Sequence, residues 1–249
     1  MLTAVGADPL PWLLLGVFVV ALLYAAVGHA GASGYIAVMS LLSLAPAEIK
    51  PTALALNIVV AAIASLLFWR AGHFRWRLFW PFALLAPPAA FLGGWLALPA
   101  DAFKLLIGVI LLYSAAMLWW RPRDPVSPTP PPIAAAVGSG ALLGFVAGLT
   151  GTGGGIFLTP LLLLLRWARA REAAAVSALF ILLNSCAGLL GHLGSTRHFP
   201  AFAPWLLLAA AVGGLIGAHL GSRRLPPVAI RRVLGAVLVI AGLKLVAGV

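Results

Sequence analysis

Ala147-Gly148-Leu149-Thr150-Gly151-Thr152-Gly153-Gly154-Gly155-Ile156 interrupts an apolar chain, and a degenerate version of it, Val27-Gly28-His29-Ala30-Gly31-Ala32-Ser33-Gly34-Tyr35-Ile36, stands 120 residues earlier. Each glycine-rich break follows one long hydrophobic segment and precedes an unusually short one. In a membrane protein, paired interruptions at matching places in two halves are the best sequence pointer to a transport site. Everything therefore turns on whether the rest of the chain belongs in a bilayer.

Composition answers that. The chain of 249 residues is 63% hydrophobic and 8% charged, with mean hydropathy +1.11. About 20 apolar residues cross the hydrocarbon layer as a helix, and stretches of that order recur along the whole length. No length is left for a soluble catalytic domain. The net charge of +11 sits between apolar segments, the pattern of membrane topology and not of nucleic-acid binding. One cysteine, Cys186, excludes an internal disulfide framework and reads as a small buried hydrophobe. The first apolar run lacks a positive flank ahead of it, so it reads as retained and not as a cleaved signal.

Ten hydrophobic segments fall at roughly 10–28, 35–46, 51–69, 78–98, 102–120, 133–149, 156–166, 172–193, 202–222 and 227–247. Between the fifth and sixth lies Arg-Pro-Arg-Asp-Pro-Val-Ser-Pro-Thr-Pro-Pro-Pro, residues 121–132, an extended linker because proline stiffens the chain and lacks an amide donor. Residues 1–120 and 133–249 then form two halves of five segments. Thr52-Ala53-Leu54 matches Ser177-Ala178-Leu179, and His73-Phe74 matches His198-Phe199. Leu98-Pro99 matches Leu225-Pro226. The order of these short matches points to a duplication.

Charge sets the orientation. With every segment changing side, twelve arginines, among them Arg70, Arg75, Arg77, Arg166, Arg169 and Arg171, collect on one side. Lys50, Lys104 and Arg197 collect on the other. The positive-inside rule makes the linker cytoplasmic and places both termini outside the cytoplasm. Equivalent loops of the two halves exchange their charge, as inverted repeats require. The sides are the same whether the short segments 2 and 7 span the membrane or re-enter as half-length helices. The expected fold is an all-α polytopic membrane protein of two inverted repeats, with glycine-rich breaks before short helices.

A glycine turn entering a short helix exposes amide donors, and the helix dipole adds positive character there. Such a terminus favours an anion. Two of them suffice to hold a small one without a buried lysine or arginine. Gly140, Gly144 and Gly148, like Gly213, Gly217 and Gly221, read as small-residue packing stripes, within the chain or between two copies of it, so a homo-oligomer is one expected partnership. Gly151, Gly153, Gly154 and Gly155 cluster beyond what packing needs. Thr150, Thr152 and the equivalent Gly31, Ser33 and Gly34 complete the two walls expected of a site. Asn57 and Asn184 lie deep in segments 3 and 8, where a buried amide requires a partner in helix, loop or substrate. Thr52 and Ser177 occupy equivalent places and serve either a cavity or a helix cap. His29 and His192 are the candidate proton carriers, with a satisfied structural role as the plainer reading.

The acidic residues Asp8, Glu48, Asp101, Asp124 and Glu172 all lie at segment edges or in loops, unlike the mid-membrane carboxylates of cation pumps. No metal-ligand or triad spacing appears, so neither an enzyme nor a cofactor is expected. Most tryptophans sit near segment ends, as interfacial anchors do.

The chain resembles the TauE/SafE sulfite exporter family of membrane permeases. The resemblance rests on Gly148 to Pro160, on Ser177-Ala178-Leu179 leading to Asn184, on Gly191-His192, and in the first half on Thr52-Ala53-Leu54 and Gly72-His73-Phe74. It implies a permease of the bacterial inner membrane moving sulfite, a sulfonate or another small organic or sulfur oxyanion. The residues alone give only a small anion, moved by alternating access. A passive anion channel and a non-transporting membrane scaffold are the rival readings.

Overall fold

The computed structural model describes residues 9–26, 29–119, 127–221 and 227–247. Their regular elements are all helices: α1 (Pro9–Ala26), α2 (Ala32–Leu41), α3 (Pro46–Arg70), α4 (Trp76–Ala83), α5 (Ala86–Trp95), α6 (Ala100–Trp119), α7 (Ile133–Thr150), α8 (Gly155–Leu164), α9 (Ala170–Thr196), α10 (Ala203–Gly221) and α11 (Pro227–Val246). A chain this apolar has little alternative. In hydrocarbon only a helix satisfies its own backbone groups without a closed barrel. Helices α3, α6, α7, α9 and α10 are each long and apolar enough to cross a membrane, and α4 with α5 makes a sixth span bent by 40°.

That bend departs from the single fourth segment expected over 78–98. Pro87 and Pro88 lack the amide hydrogens that would bond the carbonyls of Ala83 and Leu84, so the helix stops and restarts. The packing line nevertheless continues across the break. Gly140, Gly144 and Gly148 of α7 lie directly on the backbone of Phe82, Ala86 and Ala90. Gly213 and Gly217 of α10 lie in the same way on Phe18 and Leu22 of α1. Both stripes are thus consumed by packing within the chain, apart from Gly221, whose surroundings lie outside the described residues. A valine at Gly148 would drive its Cβ into the Ala90 carbonyl. Gly148→Val is expected to abolish the monodisperse elution and cooperative melting of the purified protein. Gly138→Val, at a position with open space around it, should leave both unchanged.

Each short helix doubles back along the long helix before it. Gly16 of α1 meets Val38 of α2, and Gly34 of α2 meets Val20 and Tyr24, an antiparallel arrangement. The Thr129 amide, just ahead of α7, donates to the Arg166 carbonyl just beyond α8 at 3.0 Å, so the start of α7 and the end of α8 share one end of the bundle. At ten residues, α2 and α8 reach about 15 Å, half the hydrocarbon thickness. Their glycine-rich starts therefore stand inside the bundle.

Helices α3 and α9 pack against each other at the centre; α5 packs on α7 and α9, α10 on α1 and α3, and α6 on α11. Left-handed backbone recurs at Gly31 and Gly154, at Ser43 and Arg166, and at Gly72 and Arg197. These pairs open the short helices, close them, and close α3 and α9. Arg75 pairs with Glu172 at 2.7 Å, which brings the loop before α4 and the start of α9 together. With the Thr129–Arg166 bond, that gathers the arginine-rich loops at one end. The outer surface is apolar, with Leu15, Leu105, Leu142 and Leu208 all more than half exposed, a surface only lipid would cover. Trp12, Trp69, Trp76, Trp119 and Trp205 project outward near helix ends, as an interfacial belt does.

Candidate functional site

The second glycine break is built where α3 and α9 cross. Gly151, Gly153 and Gly154 have φ of 82°, 71° and 81°, the left-handed region that only glycine enters without strain. That run turns the chain out of α7 and aims the start of α8 at the central helix pair. Asn57 Nδ2 of α3 donates to the Gly151 carbonyl at 3.3 Å. Gly153 sits so close to Ile181, Asn57 and Ser185 that an added Cβ would lie 2.7 Å from the first and 3.0 Å from each of the others. In the first turn of α8, the amides of Gly155 and Ile156 have no intrahelical acceptor.

The two helices that meet this turn carry buried, unsatisfied polar atoms. Asn57 Oδ1, both amide atoms of Asn184, Ser185 Oγ and Thr52 Oγ1 are fully buried and make no hydrogen bond. Each such atom costs about 1–3 kcal/mol if nothing answers it. A native interior carries few of them, and each marks a place for water, ion or ligand. Three of the residues singled out from sequence are brought together, Asn57, Gly151 and Gly153, and Asn184 stands next to Ser185 on α9. Ser185 itself had gone unnoticed, although Asn184-Ser185 is a polar doublet in the middle of an apolar run.

Other expected residues are differently engaged. Thr150 Oγ1 donates to the Val146 carbonyl at 2.7 Å and lies 3.0 Å from Thr152 Oγ1. Ser177 accepts from Thr159 at 2.8 Å, tying α9 to α8. Neither Thr52 nor Ser177 caps a helix, because α3 and α9 begin earlier, after Ala45 and Arg169. In the first half, the Tyr35 ring covers Gly31. Ser33 Oγ and the Tyr24 hydroxyl share a hydrogen bond of 2.8 Å. This break is thus closed within its own hairpin, while the second is pressed on α3 and α9. His29 precedes α2 and its amide donates to the Tyr24 carbonyl at 2.9 Å, whereas His192 Nε2 lies 3.1 Å from Thr196 Oγ1 in the last turns of α9.

Lys50 differs most from expectation. Because α3 starts at Pro46 and not at residue 51, Lys50 is no loop residue but a buried one, 6% exposed. Its ammonium donates to the carbonyls of Gly93 (3.2 Å), Gly94 (2.8 Å) and Leu96 (3.0 Å) at the end of α5. Its backbone lies against Gly151. A buried positive charge therefore stands at the end of α5, on a residue whose backbone touches the break.

A bundle with an apolar exterior and unsatisfied polar groups at its central crossing defines a multi-pass membrane transporter. Comparison with known proteins identifies the kind. The profile of the sulfite exporter TauE/SafE family matches residues 13–245. A probable membrane transporter protein, y4hK of Sinorhizobium fredii, is 45% identical over 238 residues, 94% of this chain and 96% of its own. Two shorter matches are the probable membrane transporter proteins YunE of Bacillus subtilis, 31% identical over 42% of this chain and 38% of its own, and one of Xylella fastidiosa, 34% identical over 34% and 33%. No solved structure matches the chain. The chain belongs to the TauE/SafE sulfite exporter family.

Proposed function

We propose that this protein is a permease for a small oxyanion, sulfite or a short sulfonate, which binds at the turn Gly151–Gly155 and is moved by alternating access. The observation that carries the reading is the set of unanswered polar atoms on the two helices that meet the turn, Asn57 Oδ1 and Thr52 Oγ1 of α3 and the Asn184 amide and Ser185 Oγ of α9. Asn184 Nδ2, the two hydroxyls and the first-turn amides of α8 are donors for anion oxygens. Thr150, Thr152 and Ser177 shape the wall, and the half-length helices supply favourable dipoles. Gly31, Ser33 and Gly34 form the opposing wall, exposed when the α1–α2 hairpin loosens. His29 and His192 are the residues available to carry a proton. The left-handed pairs and the reciprocal packing of α1 on α10 and α7 on α5 support inverted repeats. The arginine-rich end then faces the cytoplasm, with the protein in the inner membrane and both termini outside.

Asn184→Leu tests the site because stability and function should move apart. Leucine keeps the branched shape and removes two unpaired polar atoms, which offsets the overpacking from its larger methyls, so the variant should melt near the parent temperature. Sulfite counterflow into proteoliposomes should fall to the level of empty vesicles. Parental flux in that variant would refute the site. Flux that rises linearly with concentration and shows no counterflow would identify a channel instead.

A further inference from the structure

At the bundle end opposite the arginine-rich loops, the ends of α2 and α11 meet the starts of α3 and α6 around a cleft of about 380 Å³. That volume lies within the roughly 300–1,000 Å³ typical of small-molecule sites. Its floor is apolar and rigid, made by Ile49, Phe103 and Ile107, each no more than 6% exposed. Lys104 and Lys244 line it, with no carboxylate among the described lining residues. Lys244 Nζ is held in place by the carbonyls of Ser40 and Leu41 and by Ser43 Oγ, at 3.1–3.4 Å. It neutralises the negative end of α2 and leaves its charge on the cleft wall. Ser40 also lines the cleft, and its hydroxyl is buried behind that lining without a hydrogen-bond partner. A helical serine normally returns its hydroxyl to the carbonyl one turn back; this one does not.

The starts of α3 and α6 border the same space, and each helix dipole is answered by a carboxylate in its first turn, Glu48 and Asp101. Ala45, which precedes α3, offers no side-chain cap to the first amides. Asp101, one turn before Lys104 on α6, is exposed and lies outside the lining. Two ammonium groups over an apolar floor form a chemical pattern with one kind of complement.

We propose that this cleft binds a small organic oxyanion, a short-chain sulfonate or carboxylate, with the charged head between Lys104 and Lys244 and the carbon chain on Ile49, Phe103 and Ile107. The site is separate from the turn at Gly151–Gly155 and does not depend on transport.

The test places a reporter in the cleft. In a Cys186→Ser background, Ala45→Cys puts one exposed thiol on the lining, to be labelled with an environment-sensitive fluorophore. Propanesulfonate should change the emission saturably in phosphatidylcholine nanodiscs. Its affinity should exceed that of methanesulfonate, by up to about fourfold for each buried methylene. Lys104→Gln, on an exposed residue that nothing in the fold needs, should weaken binding about tenfold, whereas Lys104→Arg should retain it. The same response to chloride at equal ionic strength, or an unchanged affinity in Lys104→Gln, would overturn the proposal. Loss of the sulfonate response in nanodiscs containing phosphatidylglycerol would also overturn it and assign the cleft to an anionic lipid headgroup. Sulfite counterflow in Lys104→Gln should match the parent; because the reporter reads binding and not flux, failure of the cleft leaves the transport site standing, and the reverse.

Discussion

Gly153→Val is expected to reduce sulfite flux to the background of empty vesicles while the protein still inserts and purifies. Three physical effects add. At φ 71° an L-residue pays about 1–2 kcal/mol for the approach of its Cβ to the following carbonyl, and a β-branched one more. The new Cβ would lie 2.7 Å from Ile181 Cγ2, so α9 and the turn must separate. It would also lie 3.0 Å from both Asn57 Nδ2 and Ser185 Oγ, displacing the polar groups of α3 and α9 that meet the turn. Ile181 is packed in the core and cannot swing away freely. Overpacking of this kind costs about 1–3 kcal/mol beyond the backbone strain. The total lowers the melting temperature without unfolding the bundle, because the interfaces of α1 with α10 and α7 with α5 are untouched. Counterflow and melting measured on one preparation check this. A variant that melts several degrees lower yet transports like the parent would show that the turn is structural only. Gly154→Val, with Phe180 at 2.9 Å from its Cβ and φ 81°, should behave alike.

Much of this architecture is legible in the sequence because membranes make it so. A helix must satisfy its own backbone and span a fixed thickness, so long apolar runs and short ones translate directly into full and half-length helices. The breaks at Gly31 and Gly151–Gly155 were readable for the same reason: so many glycines together at membrane depth have no helical use. Asn57 stood out as an amide in an apolar run, and its contact with Gly151 follows from the need for a partner. What escaped sequence reading depends on contacts between distant residues. The α4–α5 bend has a local cause in Pro87-Pro88, but whether two prolines kink a span or end it is decided by the α7 surface it must follow. Lys50 beside Pro51 looked like the edge of a segment. Its burial becomes sensible only when the carbonyls of Gly93, Gly94 and Leu96, more than forty residues on, are seen to converge on it. The unequal surroundings of the two breaks were equally hidden. Tyr24 and Tyr35 close the first, whereas the second lies on asparagine and serine, and repeated sequence alone does not distinguish these settings.

Lys50→Met should be the most destabilising single substitution outside the glycine interfaces. The carbonyls of Gly93, Gly94 and Leu96 end α5 without helical partners, in an interior where water does not replace a lost donor. The ammonium answers all three and sits at the negative end of the helix, where a cation is favoured. Methionine fills the same space and donates nothing. It does recover the cost of keeping a charge 6% exposed, so the net loss falls below the sum of three charge-assisted bonds, at about 2–4 kcal/mol. For a chain of this length that is a melting temperature lower by on the order of 10 °C. An unchanged melting temperature would contradict the capping role. The flux of the folded fraction then separates two functions of one residue. The Lys50 backbone lies on Gly151 while its ammonium closes α5, so the residue joins the turn of the proposed site to that helix end. If counterflow per folded molecule stays parental, the lysine is a helix cap and the anion is held by dipoles and amides alone. If KM for sulfite rises while Lys50→Arg restores it, the same ammonium that closes α5 also attracts the substrate, and occupancy of the site is linked to how tightly α5 is held.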